Sequence, residues 1–452
     1  MKQTQPMITR LAPEDQCLTC SFSTGTQPEG TTYEALIRPL AGGETKTFPC
    51  EGGCAVIRPL DNGVDLEIRI AANRPDGSQT ESAPRLFRCG FVPGRVIAYL
   101  HPADESFADS GRAIGSPSIC RAPDGSLIAA HDIFSRNAGQ NLTHVYRSED
   151  EGETWQFAAS VRSCFWGSLF THHEKLYLLG TTTEYGALVL YESSDSGLTW
   201  RGPVQLLAGG SRETGGPHKA SVPVLEAAGR LWCSVEYGSW SIGRHDPGAV
   251  SAAVESDLMD PSAWQCTGFM PYDPSQVQEI EGTPTGTIEG NVLETPDGRL
   301  IDLLRCQTIN CKPQYGKAYQ IALDPQQPSA LPRFDRTVDF PGNLSKFFIR
   351  RSPADGRYYA MSNRVTTDTL TQRNILTLSV SDDLIHWEIR RDILNYADNC
   401  FAEDESQVGF QYPSFIFDGE DLLAVVRTAV NGAHNFHDAN YLTFHRIRNY
   451  RR

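Results

Sequence analysis

Four polar residues stand seven positions beyond a turn glycine. Asp132, Glu236, Arg305 and Asn363 follow Gly125, Gly229, Gly298 and Gly356, and each closes a mainly apolar strand pattern. A second group, Trp166, His218, Lys219, Glu289, Lys346 and Tyr412, lies where the apolar run before a turn begins. Brought to one place, these side chains amount to carboxylates, cations, a tyrosine and a tryptophan. That is sugar-handling chemistry, with acids to move protons and an aromatic face for a ring. Any one of them alone reads as a salt-bridged strand end. The recurrence at a fixed register carries the expectation, and His131, beside Asp132, joins as a further proton-transfer or binding candidate.

The elements that must position these residues are short apolar strands in pairs. Ser118-Ile-Cys precedes Leu127-Ile-Ala, and Ser168-Leu-Phe precedes Leu176-Tyr-Leu-Leu. The pattern repeats at Val222/Leu231, Asn291/Leu300, Lys346/Tyr358 and Ser414/Leu422. Tryptophan-ended turns punctuate it: Ser148-Glu-Asp-Glu-Gly-Glu-Thr-Trp155, Ser193-Ser-Asp-Ser-Gly-Leu-Thr-Trp200, and looser copies at Ser256-Asp257 to Trp264 and Ser381 to Trp387. In such a turn the Asp accepts from backbone N–H groups, Gly takes positive φ and Trp covers the hairpin base. It reads as a structural clip. Six sheets of four strands predict an all-β fold, a six-bladed β-propeller over residues 96–452, with the run from His437 to His445 closing the ring. Starts of first strands and ends of second strands then meet at one end of the axis, in a cup. Residues 1–95 lie outside the repeat, and alternation at Ala55-Val-Ile and Val64-Asp-Leu-Glu-Ile predicts a small N-terminal β domain.

Composition narrows the classes. Of 452 residues, 40% are apolar and 21% charged, as in a folded chain. The net charge of -15 without a Lys/Arg block argues against nucleic acid. No apolar run is long enough to span a membrane, and the N-terminal stretch has no signal-peptide pattern, so the expected location is cytoplasmic with mostly reduced cysteines. Cys17, Cys20, Cys50 and Cys54 could ligate zinc, but their spacing and the lack of a nearby His favour buried thiols; no metal or other cofactor is expected.

The segment Glu289-Gly-Asn-Val-Leu-Glu-Thr-Pro-Asp-Gly-Arg-Leu-Ile-Asp-Leu-Leu-Arg305 and the repeated clips resemble the sialidase (exo-α-neuraminidase) superfamily, six-bladed propellers that carry Asp boxes. The resemblance covers about residues 110–452. It implies that Tyr412, in Gln411-Tyr-Pro-Ser, is a nucleophile and that Glu289 takes its proton. It implies also that Arg305 and Arg373 belong to a set of three arginines gripping a substrate carboxylate. The chain departs from the pattern at Ile114-Gly-Ser-Pro117, where the first arginine is missing, and at Asn141-Leu-Thr-His144, where the usual catalytic Asp is absent. Asp132 is the nearest replacement.

A phenol with its usual pKa near 10 is a weak nucleophile and needs an adjacent carboxylate. Tyrosine suits an anomeric centre that bears a carboxylate, since a neutral phenol avoids like-charge repulsion. Asp132 or Glu236 would act as acid, with His131 and His218 as alternatives. The expected activity is release of a terminal, acidic sugar from an oligosaccharide. Two other classes stay open: a lyase acting on a uronate, and a non-catalytic carbohydrate-binding propeller.

Overall fold

The computed structural model describes residues 4–342, 344–366, 372–398, 401 and 404–452. Six antiparallel sheets follow one another in the chain as blades 1 to 6. Blade 1 runs Ser118–Arg121, Leu127–Phe134, Leu142–Ser148, Gln156–Arg162, and blade 2 runs Phe165–His172, Lys175–Thr181, Leu188–Ser193, Arg201–Leu207. In blade 3 the inner edge is split into Gly216–His218 and Leu225–Ala227, followed by Arg230–Ser239, Arg244–Ala253 and Trp264–Cys266. Residues Val222 to Val224, expected in a strand, fall in the break. Blade 4 comprises Thr287–Glu294, Leu300–Cys306, Lys317–Leu323 and Arg333–Asp339; blade 5 comprises Phe348–Arg351, Tyr358–Asn363, Ile375–Ser381 and Glu388–Asn395. Second strands are buried nearly throughout because inner strands have blades on both sides.

Blade 6 holds a correction. Gly409–Asp418, Asp421–Ala429 and Tyr441–Ile447 supply only three strands, and the fourth is Arg95–Tyr99 from the start of the ring. Tyr441 pairs with Tyr99 and Phe444 with Arg95. The C-terminal strand, expected to close the ring, is the third of its blade. Only a strand from the other end of the repeat can complete that sheet and tie first blade to last, and it leaves no open edge at the junction.

Upstream lie two further sheets, of three and five strands. One joins Met7–Glu14, Cys17–Ser23 and Cys54–Ile57; the other joins Lys46–Cys50, Thr32–Pro39, Asp65–Asn73 and Gln79–Glu81, with Arg85–Arg88 also on Asp65–Asn73. Leu11, Ile37, Ile68 and Phe87 pack in one core with Tyr359, Leu378 and Phe410 of blades 5 and 6. Buried Arg10 donates to the carbonyls of Ile97 (2.6 Å) and Val96 (2.7 Å), fastening the closing strand to this region.

The clips have the expected form. Asp150 Oδ1 accepts from Ser148 Oγ and Thr154 N, both at 2.8 Å, and Trp155 Nε1 donates to the Gly152 carbonyl at 3.1 Å. Asp195, Ser193, Thr199 and Trp200 repeat the same bonds at the same lengths. The described cysteines are unbridged, and among the described residues no group of His, Cys, Asp and Glu is arranged to hold a metal ion. Among them, too, no helix is long and apolar enough to cross a membrane.

Candidate active site

In blades 2, 4 and 6 the innermost strand loses register against its neighbour, between Phe165 and Ser168, Ile288 and Asn291, and Gln411 and Ser414. Each bulge holds one non-glycine residue in the left-handed region: Trp166 at φ +54°, Glu289 at +61° and Tyr412 at +54°. Such a conformation costs about 1–3 kcal/mol and persists only where the surroundings enforce it. Here the bulges re-aim three chemically useful side chains, in alternate blades, relative to the regular alternation of the strand.

The enforcing groups come from the preceding blades. Asp132 of blade 1 accepts from Trp166 N at 2.9 Å and from Thr143 Oγ1 at 2.8 Å. Glu236 of blade 3 accepts from Gly290 N at 3.2 Å, one residue past Glu289. Asn363 of blade 5 donates to the Phe410 carbonyl at 2.7 Å, two residues before Tyr412. Asp132 and Glu236 are 0% exposed. The shared register thus gives these three residues a common contact, each with one polar atom on the backbone of the next blade. Burial pushes Asp132 up to about 6 despite the hydrogen bonds it accepts.

Tyr412 and Glu289, from blades on opposite stretches of sequence, meet. The phenol donates to Glu289 Oε1 at 2.6 Å, and Arg305 Nη1 donates to Oε2 at 2.7 Å. Burial by itself would raise the Glu289 carboxyl; the Arg305 guanidinium and the phenol hydrogen bond outweigh it and hold Glu289 below the usual carboxylate range. Burial, then the Glu289 charge, raises the Tyr412 phenol. Two more guanidiniums face the phenol ring: Arg373 at 6.0 Å and Arg427 at 5.1 Å from its centroid. Arg373 donates to Gln411 Oε1 and the Leu344 carbonyl, both at 2.7 Å, and Arg427 to the His437 carbonyl.

Arg427 was not singled out from the sequence. It lies five residues after Leu422, as Asp132, Glu236, Arg305 and Asn363 lie five after Leu127, Leu231, Leu300 and Tyr358. The turn of blade 6 carries one residue more between its glycine and the first apolar residue, so counting from Gly419 lands on Val426 instead. Counting from the apolar residue finds it.

The remaining candidates separate. Lys219 Nζ donates to the carbonyls of Trp166 and Ala220 at 2.8 Å and to Ser168 Oγ at 2.9 Å, fixing the blade 2 bulge from blade 3. Lys346 donates to the Ser221 carbonyl at 2.6 Å and lies over the Phe348 ring; burial lowers it to about 7. Both are fully buried, so neither presents an open cation. His131 lies elsewhere. Strand alternation turns it away from the face of Asp132, and it stacks on Tyr146 in a small buried cavity with Arg10, Arg85 and Phe107. His218 stays near the centre: Nδ1 is 2.9 Å from Glu236 Oε2, and the ring lies 4.5 Å from Trp166 and 4.7 Å from His245.

No protein-family profile matches the chain, and no curated protein matches it in sequence. Among solved structures, the α-L-arabinanase of Penicillium chrysogenum complexed with arabinobiose is similar at a TM-score of 0.52 and 15% identity, over 79% of this chain and 98% of that one. The α-L-arabinofuranosidase of Fusarium graminearum in complex with an iminosugar inhibitor gives 0.50 and 12%, over 79% and 98%. A leech intramolecular trans-sialidase gives 0.49 and 10%, over 99% and 92%. What the first two share with this chain is the all-β propeller fold.

Proposed function

We propose that this chain is a glycoside hydrolase that releases a terminal acidic sugar from an oligosaccharide, with Tyr412 as nucleophile and Glu289 as its base. The observation that carries the reading is the Tyr412–Glu289 hydrogen bond of 2.6 Å, set among three guanidiniums. Glu289 is kept ionised by Arg305, so it is ready to accept the phenol proton as the oxygen attacks the anomeric carbon. Arg305, Arg373 and Arg427 surround this point with more positive charge than Glu289 offsets, which suits a substrate carboxylate. The glycosidases of similar fold supply a precedent for sugar chemistry on such a scaffold. The partner of Tyr412 also favours hydrolysis over elimination, since a lyase using this tyrosine would set a histidine beside it.

The test is a panel of 4-methylumbelliferyl glycosides carrying sialic acid, uronic acids and neutral arabinofuranose. Hydrolysis of a carboxylate-bearing member is expected. Cleavage of neutral members alone, or an unsaturated product absorbing in the ultraviolet, contradicts the reading. Arg427→Ala should raise KM and lower kcat for the acidic substrate, costing about 2–5 kcal/mol in kcat/KM, and should change any neutral side activity far less.

A further inference from the structure

The Tyr412–Glu289 pair leaves one task unassigned. When the glycosidic bond breaks, the departing oxygen needs a proton, and Glu289 already holds the phenol and Arg305. Resting on the reading above, we propose that His218, oriented by Glu236, supplies that proton and recovers it from water in the second step.

The two carboxylates nearest this task are occupied. Asp132 is buried with its oxygens on Thr143 Oγ1 and Trp166 N. Glu236 lies between His218 Nδ1 and Gly290 N. Within that pair the histidine is the member with surface, its side chain 4% exposed against 0% for the glutamate. Nδ1 is fixed on the carboxylate, and Nε2 has no hydrogen-bond partner among the described residues. A carboxylate on one ring nitrogen sets the tautomer and holds the ring in place, leaving the other nitrogen to exchange a proton. Glu236 also grips the peptide next to Glu289, so one buried carboxylate aligns the proton donor with the nucleophile's base.

Around His218 stands an aromatic wall. Trp166 and His245 pack against it, and Trp240 lies 6.4 Å away, 50% exposed at the tip of the blade 3 hairpin. Trp240 is anchored by its backbone N–H, which donates to Tyr185 Oη at 3.1 Å, and by its ring against His245 at 4.8 Å. An exposed indole beside the proton donor provides a stacking face for the departing sugar. The cationic arc of Arg305, Arg373 and Arg427 is thus paired with an uncharged aromatic one.

The balance is complete. Tyr412 Oη bonds to the anomeric carbon and its proton passes to Glu289, while the glycosidic electron pair leaves with the sugar oxygen, which takes the proton of His218 Nε2. Water then attacks the same carbon and returns a proton to His218, and Tyr412 leaves and regains its own from Glu289. The titratable and charged groups around the imidazole are Glu236 and His245 on its own blade, Tyr185 on blade 2 and Glu289 on blade 4, with Lys219 next in sequence.

The experiment compares two leaving groups on the glycone that the panel identifies: a sugar, which needs protonation, and fluoride, which does not. His218→Gln should lower kcat/KM on the sugar leaving group by about 10²–10⁴-fold and on the fluoride by less than about tenfold, and abolish the alkaline limb of the pH profile for the former. Glu236→Gln should move that limb to lower pH, and this reading decides the matter if the histidine variant does not fold. Equal losses on both leaving groups, an unmoved alkaline limb in Glu236→Gln, or a leaving-group-dependent loss in Asp132→Asn in place of His218→Gln would overturn the proposal. If Tyr412→Phe keeps turning over both substrates, the parent reading fails whatever His218 does.

Discussion

The outer clips and the inner bulges are both tight turns stabilised by side chain to backbone hydrogen bonds, yet they are closed differently. The Ser148–Trp155 clip is completed by its own eight residues: Ser148, Asp150, Thr154 and Trp155 satisfy one another. The Glu289 bulge is held by Glu236 of the preceding blade and its side chain by Tyr412, 123 residues away. A locally closed turn shapes one hairpin. A turn closed by its neighbours couples blades, and the left-handed residue it holds is placed to within hydrogen-bond tolerance of groups on other blades, as the proposed reaction centre requires.

The contrast breaks most visibly at the pair itself. Tyr412→Phe, Glu289→Gln and the double variant should each lower kcat by about 10³-fold or more, and by similar amounts, because groups acting as a unit lose activity non-additively. Next comes Gly290→Ala. A Cβ there would run into Ser234 Oγ and both carboxyl oxygens of Asp302, so the bulge must shift. A loss of about 10²-fold in kcat/KM with only about 1–3 kcal/mol of stability is expected, measured by kinetics and chemical denaturation.

Asp132 sharpens the comparison through pH. Its pKa is raised from the ordinary 3.8 to about 6 by burial, so the folded state binds the proton more tightly than the unfolded one. Stability contributed by this group is full below about pH 4 and is lost as pH rises towards 6, by about 3 kcal/mol. Asp132→Asn should remove that slope from the difference between variant and parent. The smallest effect on turnover belongs to the clips: Asp150→Ala and Asp195→Ala should cost about 1–3 kcal/mol each from unsatisfied turn donors and leave kcat of the folded enzyme unchanged. A clip variant that folds normally but loses turnover would erase the distinction.

The same difference explains what could be read from the sequence. The clips and the paired apolar strands carry their hydrogen-bond partners or their alternation within a few residues, and blade number follows from them. Strand closure by Arg95–Tyr99 does not, since nothing local marks a strand whose partner lies some 345 residues on. Counting along second strands found the right heights at Asp132, Glu236 and Asn363. It could not tell whether a polar side chain at the seam turns to the axis or to the next backbone, which only the bulges decide. His131 was lost to alternation, Lys219 and Lys346 to carbonyls of adjoining blades, and Arg427 to one extra residue in a turn. Glu289, Tyr412 and Arg305 are legible from strand register, and a family resemblance adds their expected roles, while the distance between the first two is a property of the closed ring.

The central claim is that Tyr412 forms the bond to the sugar. The most direct measurement is mass spectrometry of the protein after reaction with a glycosyl fluoride of the identified glycone, fluorinated beside the anomeric centre to slow the second step. One glycosyl unit on the peptide containing Tyr412, absent in Tyr412→Phe, is the predicted result; a label on the Glu289 peptide, or turnover that persists in Tyr412→Phe with no label on the parent, would contradict it.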